Sequence, residues 1–213
     1  IEIKEIKSDD TVHDTVMGND YLKIVSSNRG AGIKMIQLIR LRNQSEQKSL
    51  NIYNSYNYDN FLLHFQEPYL NFDLNNSLYS YEEKEKEVKY TLNIPEQFSI
   101  EKIVSLEKDY LVKFTLRIKN LDKKPLPFNL AFLGAKNFKT EEPWEERFWE
   151  IAYPSEGKIK HDYFRKIRSS KLYLSPLTWL ALKSKYFAQI IVPSSQNISF
   201  LGQRTSENQL EIY

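Results

Sequence analysis

Cysteine is absent from the 213-residue sequence, and this absence excludes several classes of function before any motif is considered. Disulfide-stapled scaffolds, thiolate zinc sites, iron–sulfur clusters and thiol nucleophiles all depend on cysteine side chains. Histidine is scarce as well: there are only three, His13, His64 and His161, and none has the H-x-x-x-H spacing of a metal site. We therefore expect neither a metal nor any other cofactor.

An excess of one charge is also missing. The 30 Lys and Arg residues nearly balance the 28 Asp and Glu residues, which leaves a formal net charge of +2. A nucleic-acid-binding domain normally carries a strong basic excess, so we expect no nucleic acid partner. No apolar run approaches the ~20 residues that a membrane helix needs, and no signal or transit peptide pattern is present. The composition predicts a soluble globular domain.

Motifs for catalysis are lacking too. The six glycines form neither a G-x-G-x-x-G motif nor a P-loop, and no G-x-S-x-G nucleophile elbow occurs. The acidic residues show no spacing that singles out a glycosidase pair. His64 lies in an apolar strand pattern and His161 in a polar one, which favours structural roles for both. We predict that the chain is not an enzyme and has no catalytic residues.

Alternation of apolar and polar residues is the main pattern that the sequence does contain. In its clearest example, five apolar residues would share one face of a strand: Tyr110, Val112, Phe114, Leu116 and Ile118. Other strand-like runs lie at 21–25, 33–39, 88–94, 103–106 and 126–132. Short strands that follow one another at this spacing predict a mainly β fold, a sandwich of antiparallel sheets.

Signals for helices and domain boundaries are few. Pro143, followed by Trp144, Phe148 and Ile151 at helical spacing, predicts one short helix. The first 18 residues are polar and charged, which predicts a flexible leader. We therefore predict a leader at 1–18 and a single domain at 19–213.

Tyrosine occurs 14 times, and several tyrosines cluster among asparagines. A tyrosine ring combines a flat apolar face with a hydroxyl, which suits contacts with extended peptides or sugars. Cross-strand aromatic pairing is the structural alternative. The candidate partner-binding surface consists of Tyr53, Tyr56, Tyr58, Tyr79 and Tyr81. The charged run at 82–87 would form its rim as a solvated strand edge or loop.

Residues 178–193 carry a more specific pattern, in which a tryptophan precedes a Lys-Tyr-Phe core and an apolar run that ends at a proline. Its characteristic residues are Trp179, Lys185, Tyr186, Phe187 and Pro193. Three further segments, within 19–33, 106–126 and 151–159, precede it in a matching order. Together the four segments resemble the large periplasmic domain of the YidC family of bacterial membrane protein insertases, from about Asn19 to past Pro193.

The resemblance implies a β-supersandwich of two large antiparallel sheets, similar to galactose mutarotase, with a few short helices. It also implies a soluble extracytoplasmic domain of a multi-spanning protein, on the periplasmic face of the inner membrane, that continues beyond Tyr213. The full-length insertase inserts and folds inner-membrane proteins, alone or with the Sec translocon. The implied partners are SecD, SecF, the translocon and nascent membrane proteins.

On this interpretation the chain is a non-catalytic scaffold and docking module, and the five residues of the 178–193 pattern are structural. Two alternatives remain open. A carbohydrate-binding module is favoured by the tyrosines and by analogy of fold. An aldose-epimerase-like enzyme would need a histidine acid and a glutamate base that face one pocket.

Overall fold

The chain divides into two compact units, Ile1–Ala131 and Phe132–Tyr213, which we call the N-terminal and C-terminal units. The computed structural model describes residues 11–42, 49–54, 63–65, 73–125, 130–132, 134–136, 143–174, 176–195, 198–204 and 210–213. The sequence had predicted one domain over 19–213. Each unit contains two four-stranded antiparallel sheets within the described residues.

The first sheet of the N-terminal unit consists of β1 (Asp14–Gly18), β2 (Leu22–Ser27), β3 (Ile33–Arg42) and β4 (Ser49–Asn54), in that order. Strand β1 corrects the predicted leader at 1–18, because its five residues pair in register with β2. Thr15 and Met17 are its buried residues, whereas Val16 is exposed. The apolar pattern therefore gave no sign of this strand.

The second sheet is a meander of β6 (Ser80–Lys84), β7 (Glu87–Ile94), β8 (Phe98–Leu106) and β9 (Val112–Asn120). The strands predicted around 88–94, 103–106 and 110–119 are confirmed here. Tyr110 is the exception, since it lies in the exposed turn before β9. Strands β5 (Leu63–Phe65) and β10 (Leu130–Phe132) form a separate two-stranded sheet.

Polar side chains connect the two large sheets of the N-terminal unit. The Tyr90 hydroxyl of β7 lies 2.7 Å from Ser26 Oγ of β2. Lys102 of β8 donates from Nζ to the carbonyl oxygen of Gly30, in the turn after β2, at 2.6 Å. Since β7 and β8 thus face β2 and its turn, the two sheets form the layers of a sandwich.

The C-terminal unit also contains two antiparallel sheets. One has the strand order β11–β18–β17–β14, and the other β13–β12–β15–β16. The bounds of the first are β11 (Ala135–Lys136), β14 (Ser170–Tyr173), β17 (Phe200–Arg204) and β18 (Leu210–Ile212). Those of the second are β12 (Glu150–Ser155), β13 (Lys158–Tyr163), β15 (Leu180–Lys183) and β16 (Ala188–Ile191).

The core of the C-terminal unit is almost entirely apolar and lies between these two sheets. The packing is close: a Cβ atom added to Gly202 of β17 would lie 2.6 Å from Cδ1 of Ile151 in β12. The buried cluster consists of Ala135, Trp149, Ile151, Phe164, Ile167, Tyr173, Leu177, Leu180, Leu182, Phe200, Leu210 and Ile212.

Two short 3₁₀ helices complete the described part of the chain: η1 (Pro143–Phe148) and η2 (Phe164–Lys166). The helix predicted at Pro143 is therefore present as η1. Its predicted extension to Ile151 is wrong, because Ile151 lies in β12 and packs in the core. Neither helix is long and apolar enough to cross a membrane.

Candidate docking site

The turn between β15 and β16 presents the centre of the 178–193 pattern to solvent. Ser184 and Phe187 close this turn, with the Ser184 amide donating to the Phe187 carbonyl oxygen at 2.8 Å. The Phe187 amide donates to Ser184 Oγ at 3.2 Å. Lys185 and Tyr186 therefore lie at the tip of a fixed hairpin, where 66% of Tyr186 is exposed.

Helix η1 brings two aromatic rings and a second cation to this hairpin. Lys185 Nζ lies 4.5 Å from the ring centroids of both Trp144 and Tyr186. The guanidinium of Arg147 lies 5.0 Å from the Trp144 ring and 4.8 Å from the Phe148 ring. We call these five residues, Trp144, Arg147, Phe148, Lys185 and Tyr186, the hallmark patch.

The hallmark patch combines residue types that are common at protein contact sites. A cation and the aromatic face beneath it attract each other electrostatically. Tryptophan, tyrosine and arginine are also the residue types enriched at interface hot spots. Trp144 is 44% exposed although it is a large apolar side chain. Nothing in the sequence marks Trp144, Arg147 and Phe148 as site residues, because only the fold brings them next to a hairpin that is distant in sequence.

The remaining residues of the 178–193 pattern flank the same hairpin. Trp179 is half-buried just before β15, Phe187 is half-buried at the end of the turn, and Pro193 is half-buried after β16. Lys185 and Tyr186, by contrast, are exposed. A structural role for all five residues stays a prediction.

The predicted tyrosine surface is corrected at one position. Tyr79 is only 1% exposed, because it lies in the core of the N-terminal unit with its ring 5.3 Å from Lys102 Nζ. Burial raises the pKa of its hydroxyl, and no partner for that hydroxyl is found within the described residues. Tyr79 therefore cannot contact a partner at the surface.

The other members of that surface stay a prediction. Tyr81 is half-buried and stacks on His13 with ring centroids 4.4 Å apart. Nε2 of His13 lies 2.8 Å from Oε1 of Glu83, so the ring pair is fixed by an ion pair or hydrogen bond. Tyr56, Tyr58 and the side chain of Tyr53 lie outside the described residues.

A histidine–glutamate pair, which the epimerase alternative requires, is present on the β13–β12–β15 sheet. Nδ1 of His161 lies 3.0 Å from Oε1 of Glu150, and Lys183 donates from Nζ to the same oxygen at 2.6 Å. The two groups contact each other directly and leave no space for a sugar between them. The geometry is that of a half-buried ion-pair network, and the side chain of His64 lies outside the described residues.

A second polar cluster joins β13 to β14. Oδ2 of Asp162 accepts hydrogen bonds from Lys171 Nζ at 2.6 Å and from the Tyr173 hydroxyl at 2.9 Å. Burial raises the pKa of Tyr173, and the charge of Asp162 raises it further. For Lys171, burial lowers the pKa, but the bond to Asp162 prevails and the net shift is upward. Oδ2 of Asp162 thus accepts from two donors of the neighbouring strand. Among the described residues, no group of three or more potential ligands could hold a metal ion.

A comparison with protein-family models shows to which family the chain belongs. The family model of the YidC periplasmic domain matches residues 15–212. The chain belongs to the YidC periplasmic domain family. The resemblance seen in the sequence is thereby confirmed, and the hallmark patch lies within the matched region. As a member of the YidC periplasmic domain family, the chain is an extracytoplasmic domain.

Solved structures show the fold of this YidC periplasmic domain but not its function. A galactose mutarotase-like protein from Lactobacillus casei matches with a TM-score of 0.67 at 10% identity, covering 94% of this chain and 86% of that one. A protein from Escherichia coli K12 assigned as an aldose 1-epimerase matches with a TM-score of 0.65 at 9% identity, covering 95% and 87%. The predicted galactose-mutarotase-like β-supersandwich class is confirmed. No curated protein matches the sequence.

Proposed function

We propose that the chain is a non-catalytic scaffold and docking domain of a membrane protein insertase. The insertase would insert and fold inner-membrane proteins, alone or with the Sec translocon. The observation that carries this proposal is the family match over residues 15–212, which spans both units. An extracytoplasmic domain of this kind acts through its contacts, and its exposed surfaces are where those contacts form.

The hallmark patch supports a docking role. It combines an exposed tryptophan and an exposed tyrosine with two cations, beside a turn that three hydrogen bonds of 2.8–3.2 Å close. Side chains that are ordered before binding lose little conformational entropy when a partner covers them. The proposed partners are SecD and SecF, with the Sec translocon and nascent membrane proteins reached through the full-length insertase. The tyrosine surface at Tyr53, Tyr56, Tyr58 and Tyr81 is a second proposed contact.

Site-specific photocrosslinking in the intact insertase tests this function. A photoreactive phenylalanine analogue at Tyr186 or Trp144 is expected to crosslink to SecD or SecF. The same analogue at Tyr110, an exposed tyrosine of the N-terminal unit, is the matched control and should give no such product. Parallel positions at Tyr56, Tyr58 and Tyr81 test the tyrosine surface. Two results would contradict docking through either surface. One is crosslinking of equal yield at Tyr110 and at every test position, and the other is no crosslinking at any test position.

A carbohydrate-binding function is the second candidate, because both solved structures share this fold. Trp144, Trp149 and Trp179 are the three tryptophans of the chain, and all lie in the C-terminal unit. Titration with galactose up to millimolar concentration should leave their fluorescence unchanged if the docking proposal holds. A saturable change would favour carbohydrate binding. Catalysed mutarotation that Glu150→Gln abolishes would favour the epimerase alternative.

A further inference from the structure

The edge formed by β13, η2 and β14 differs in chemistry from the rest of the molecule. Among the described strands, β13 is outermost in one sheet of the C-terminal unit and β14 is outermost in the other. The hydrogen bonds that Lys171 and the Tyr173 hydroxyl donate to Asp162, at 2.6 and 2.9 Å, hold them together. We call residues 158–174 the β13–β14 edge.

Positive charge is concentrated on this edge. Residues 156–171 contain six Lys and Arg residues but only two carboxylates, so this segment carries +4 in a chain of net charge +2. Both carboxylates are engaged, Glu156 with Lys160 at 3.2 Å and Asp162 with Lys171 at 2.6 Å. Four exposed cations have no carboxylate partner in the described part of the chain: Lys158, Arg165, Lys166 and Arg168.

Large apolar side chains are exposed beside these cations. On β13, Ile159 is 59% exposed and Tyr163 is 46% exposed. On and after β14, Leu172 is 57% exposed and Leu174 is 68% exposed. The alternation of each strand places these four residues on the side opposite to the Asp162–Lys171 bond. The edge therefore presents aliphatic and phenolic side chains on either side of a row of cations.

Beside this row lies a shallow polar pocket. Lys166 at the end of η2 and the segment that follows it supply two cations and a serine to this pocket, and β13 and β14 close its sides. Its lining consists of Asp162, Lys166, Ile167, Arg168, Ser169, Ser170 and Lys171. Lysine, arginine and serine side chains are the donors that bind phosphate oxygens.

We propose that the β13–β14 edge binds the surface of a lipid bilayer that contains anionic phospholipid. The cations match the negative surface potential of such a bilayer, and lysine and arginine chains are long enough to reach phosphates while their stems cover apolar surface. The exposed isoleucine, leucines and tyrosine match the interfacial layer, where apolar and phenolic groups are both stabilised. The cations would also suit an acidic protein partner. Such a partner would not explain why aliphatic residues are exposed on both sides of the cations. This inference is independent of the proposed Sec contacts.

Vesicle co-sedimentation of the 213-residue chain tests the proposal. Vesicles of phosphatidylcholine alone are compared with vesicles that contain 30% phosphatidylglycerol, on the order of the anionic fraction at which basic segments bind. We expect binding to the anionic vesicles only, weakening as salt is raised. The triple variant Arg165→Gln, Lys166→Gln, Arg168→Gln should lower the partition coefficient at least about tenfold.

Matched control variants distinguish binding through this edge from a general effect of the net charge. Lys119→Gln, Lys123→Gln, Lys124→Gln removes three exposed cations from the N-terminal unit and should change binding less than about twofold. Leu172→Ser with Leu174→Ser should weaken the binding that remains at high salt. Circular dichroism should show unchanged folding in all three variants.

Three results would overturn the proposal. The first is no binding to anionic vesicles, and the second is equal loss of binding in the two triple variants. The third is that the chain binds a polyglutamate peptide but no vesicles, and that this peptide binding depends on Arg165, Lys166 and Arg168. Such a result would assign the edge to an acidic protein partner. Crosslinking to SecD or SecF through the hallmark patch is a separate measurement, so either proposal can fail while the other stands.

Discussion

The two units of the chain build their sandwiches by different means. In its interior the N-terminal unit buries the amino group of Lys102 and the hydroxyls of Tyr79 and Tyr90. The C-terminal unit instead fills its core with aliphatic and aromatic side chains, which approach a neighbouring strand closely at Gly202. The N-terminal unit thus places polar groups within an otherwise apolar interior, whereas the core cluster of the C-terminal unit is held almost entirely by apolar packing.

This difference predicts different responses to change. A buried charge links folding to pH, because the protonated form is disfavoured in the interior. An apolar core is insensitive to pH but very sensitive to lost volume. Substitutions in each unit distinguish the effect of the buried polar groups from that of apolar packing. Because all three tryptophans lie in the C-terminal unit, their fluorescence reports on the unfolding of that unit.

Ile151→Ala should have the largest effect. Ile151 is fully buried in the apolar core, so the substitution removes buried methyl groups and leaves a cavity, which costs about 3 kcal/mol of unfolding free energy. Urea unfolding followed by tryptophan fluorescence measures it. Ile159→Ala, on the exposed neighbouring strand, is the control and should cost less than about 0.5 kcal/mol. Equal costs at the two positions would contradict this description of the core.

Lys102→Met should change the pH dependence of the N-terminal unit. Burial lowers the pKa of Lys102 to about 7 from its ordinary 10.5. Between these values the unfolded chain binds a proton that the folded chain lacks, so stability rises with pH. Within this window the wild-type unit should gain about 2 kcal/mol from pH 7 to pH 9, and the variant should lose that dependence.

Hydrogen exchange of the β7 and β8 amides at the two pH values, corrected for the intrinsic exchange rate, measures this effect. Lys113→Met on the exposed side of β9 serves as the control and should keep the wild-type pH dependence. If the Lys102 variant and the wild-type chain show the same change in protection, Lys102 is protonated in the folded unit and the assignment is wrong.

Glu150→Gln should destabilise the C-terminal unit by about 1 kcal/mol. The carboxylate is buried, but His161 and Lys183 are partly exposed, so solvent screens both interactions. Chemical denaturation monitored by tryptophan fluorescence gives the value. Glu156→Gln, in an exposed pair with Lys160, should have no measurable effect. A loss above about 3 kcal/mol at Glu150 would show that the network is much less screened than its exposure indicates.

Two tyrosine variants should give the smallest effects and differ from each other. Tyr90→Phe removes the bond to Ser26 and should cost about 1 kcal/mol. Tyr79→Phe removes a buried hydroxyl that has no partner in the described residues, so stability should stay within about 0.5 kcal/mol or rise. Thermal unfolding by circular dichroism compares the two. A larger loss at Tyr79 than at Tyr90 would mean that the Tyr79 hydroxyl is bonded after all.

Much of the fold could be predicted from local pattern, and Lys102 shows where such prediction stops. Phe98, Ile100, Val104 and Leu106 mark every second residue of β8 as inward, which places Lys102 on the same face. The alternation thus predicts that Lys102 points inward, but it does not predict that the amino group is buried and donates to the Gly30 carbonyl oxygen. Strand β1 was missed for a related reason, since a threonine occupies one of its buried positions and a valine an exposed one.

The candidate sites were harder to predict than the strands. The 178–193 pattern named Lys185 and Tyr186, but it did not predict the hairpin on which they lie. Trp144 and Arg147 join them only through the packing of η1, which no local periodicity encodes. The Glu150 network likewise depends on the register of three strands. Side-chain chemistry was visible in the sequence, whereas the distances that make it a site were not.

The turn that leads into β13 has a consequence for aggregation. Glu156 and Gly157, at φ angles of 53° and 73°, form the two-residue loop that twisted hairpins prefer, so the register of β13 is firmly set. Its backbone is outermost among the described strands and would be a template for strand addition by a second molecule. Lys158 and Lys160 repel such a copy. Neutralising them should promote self-association, so lysine modification of this strand would be expected to produce oligomers.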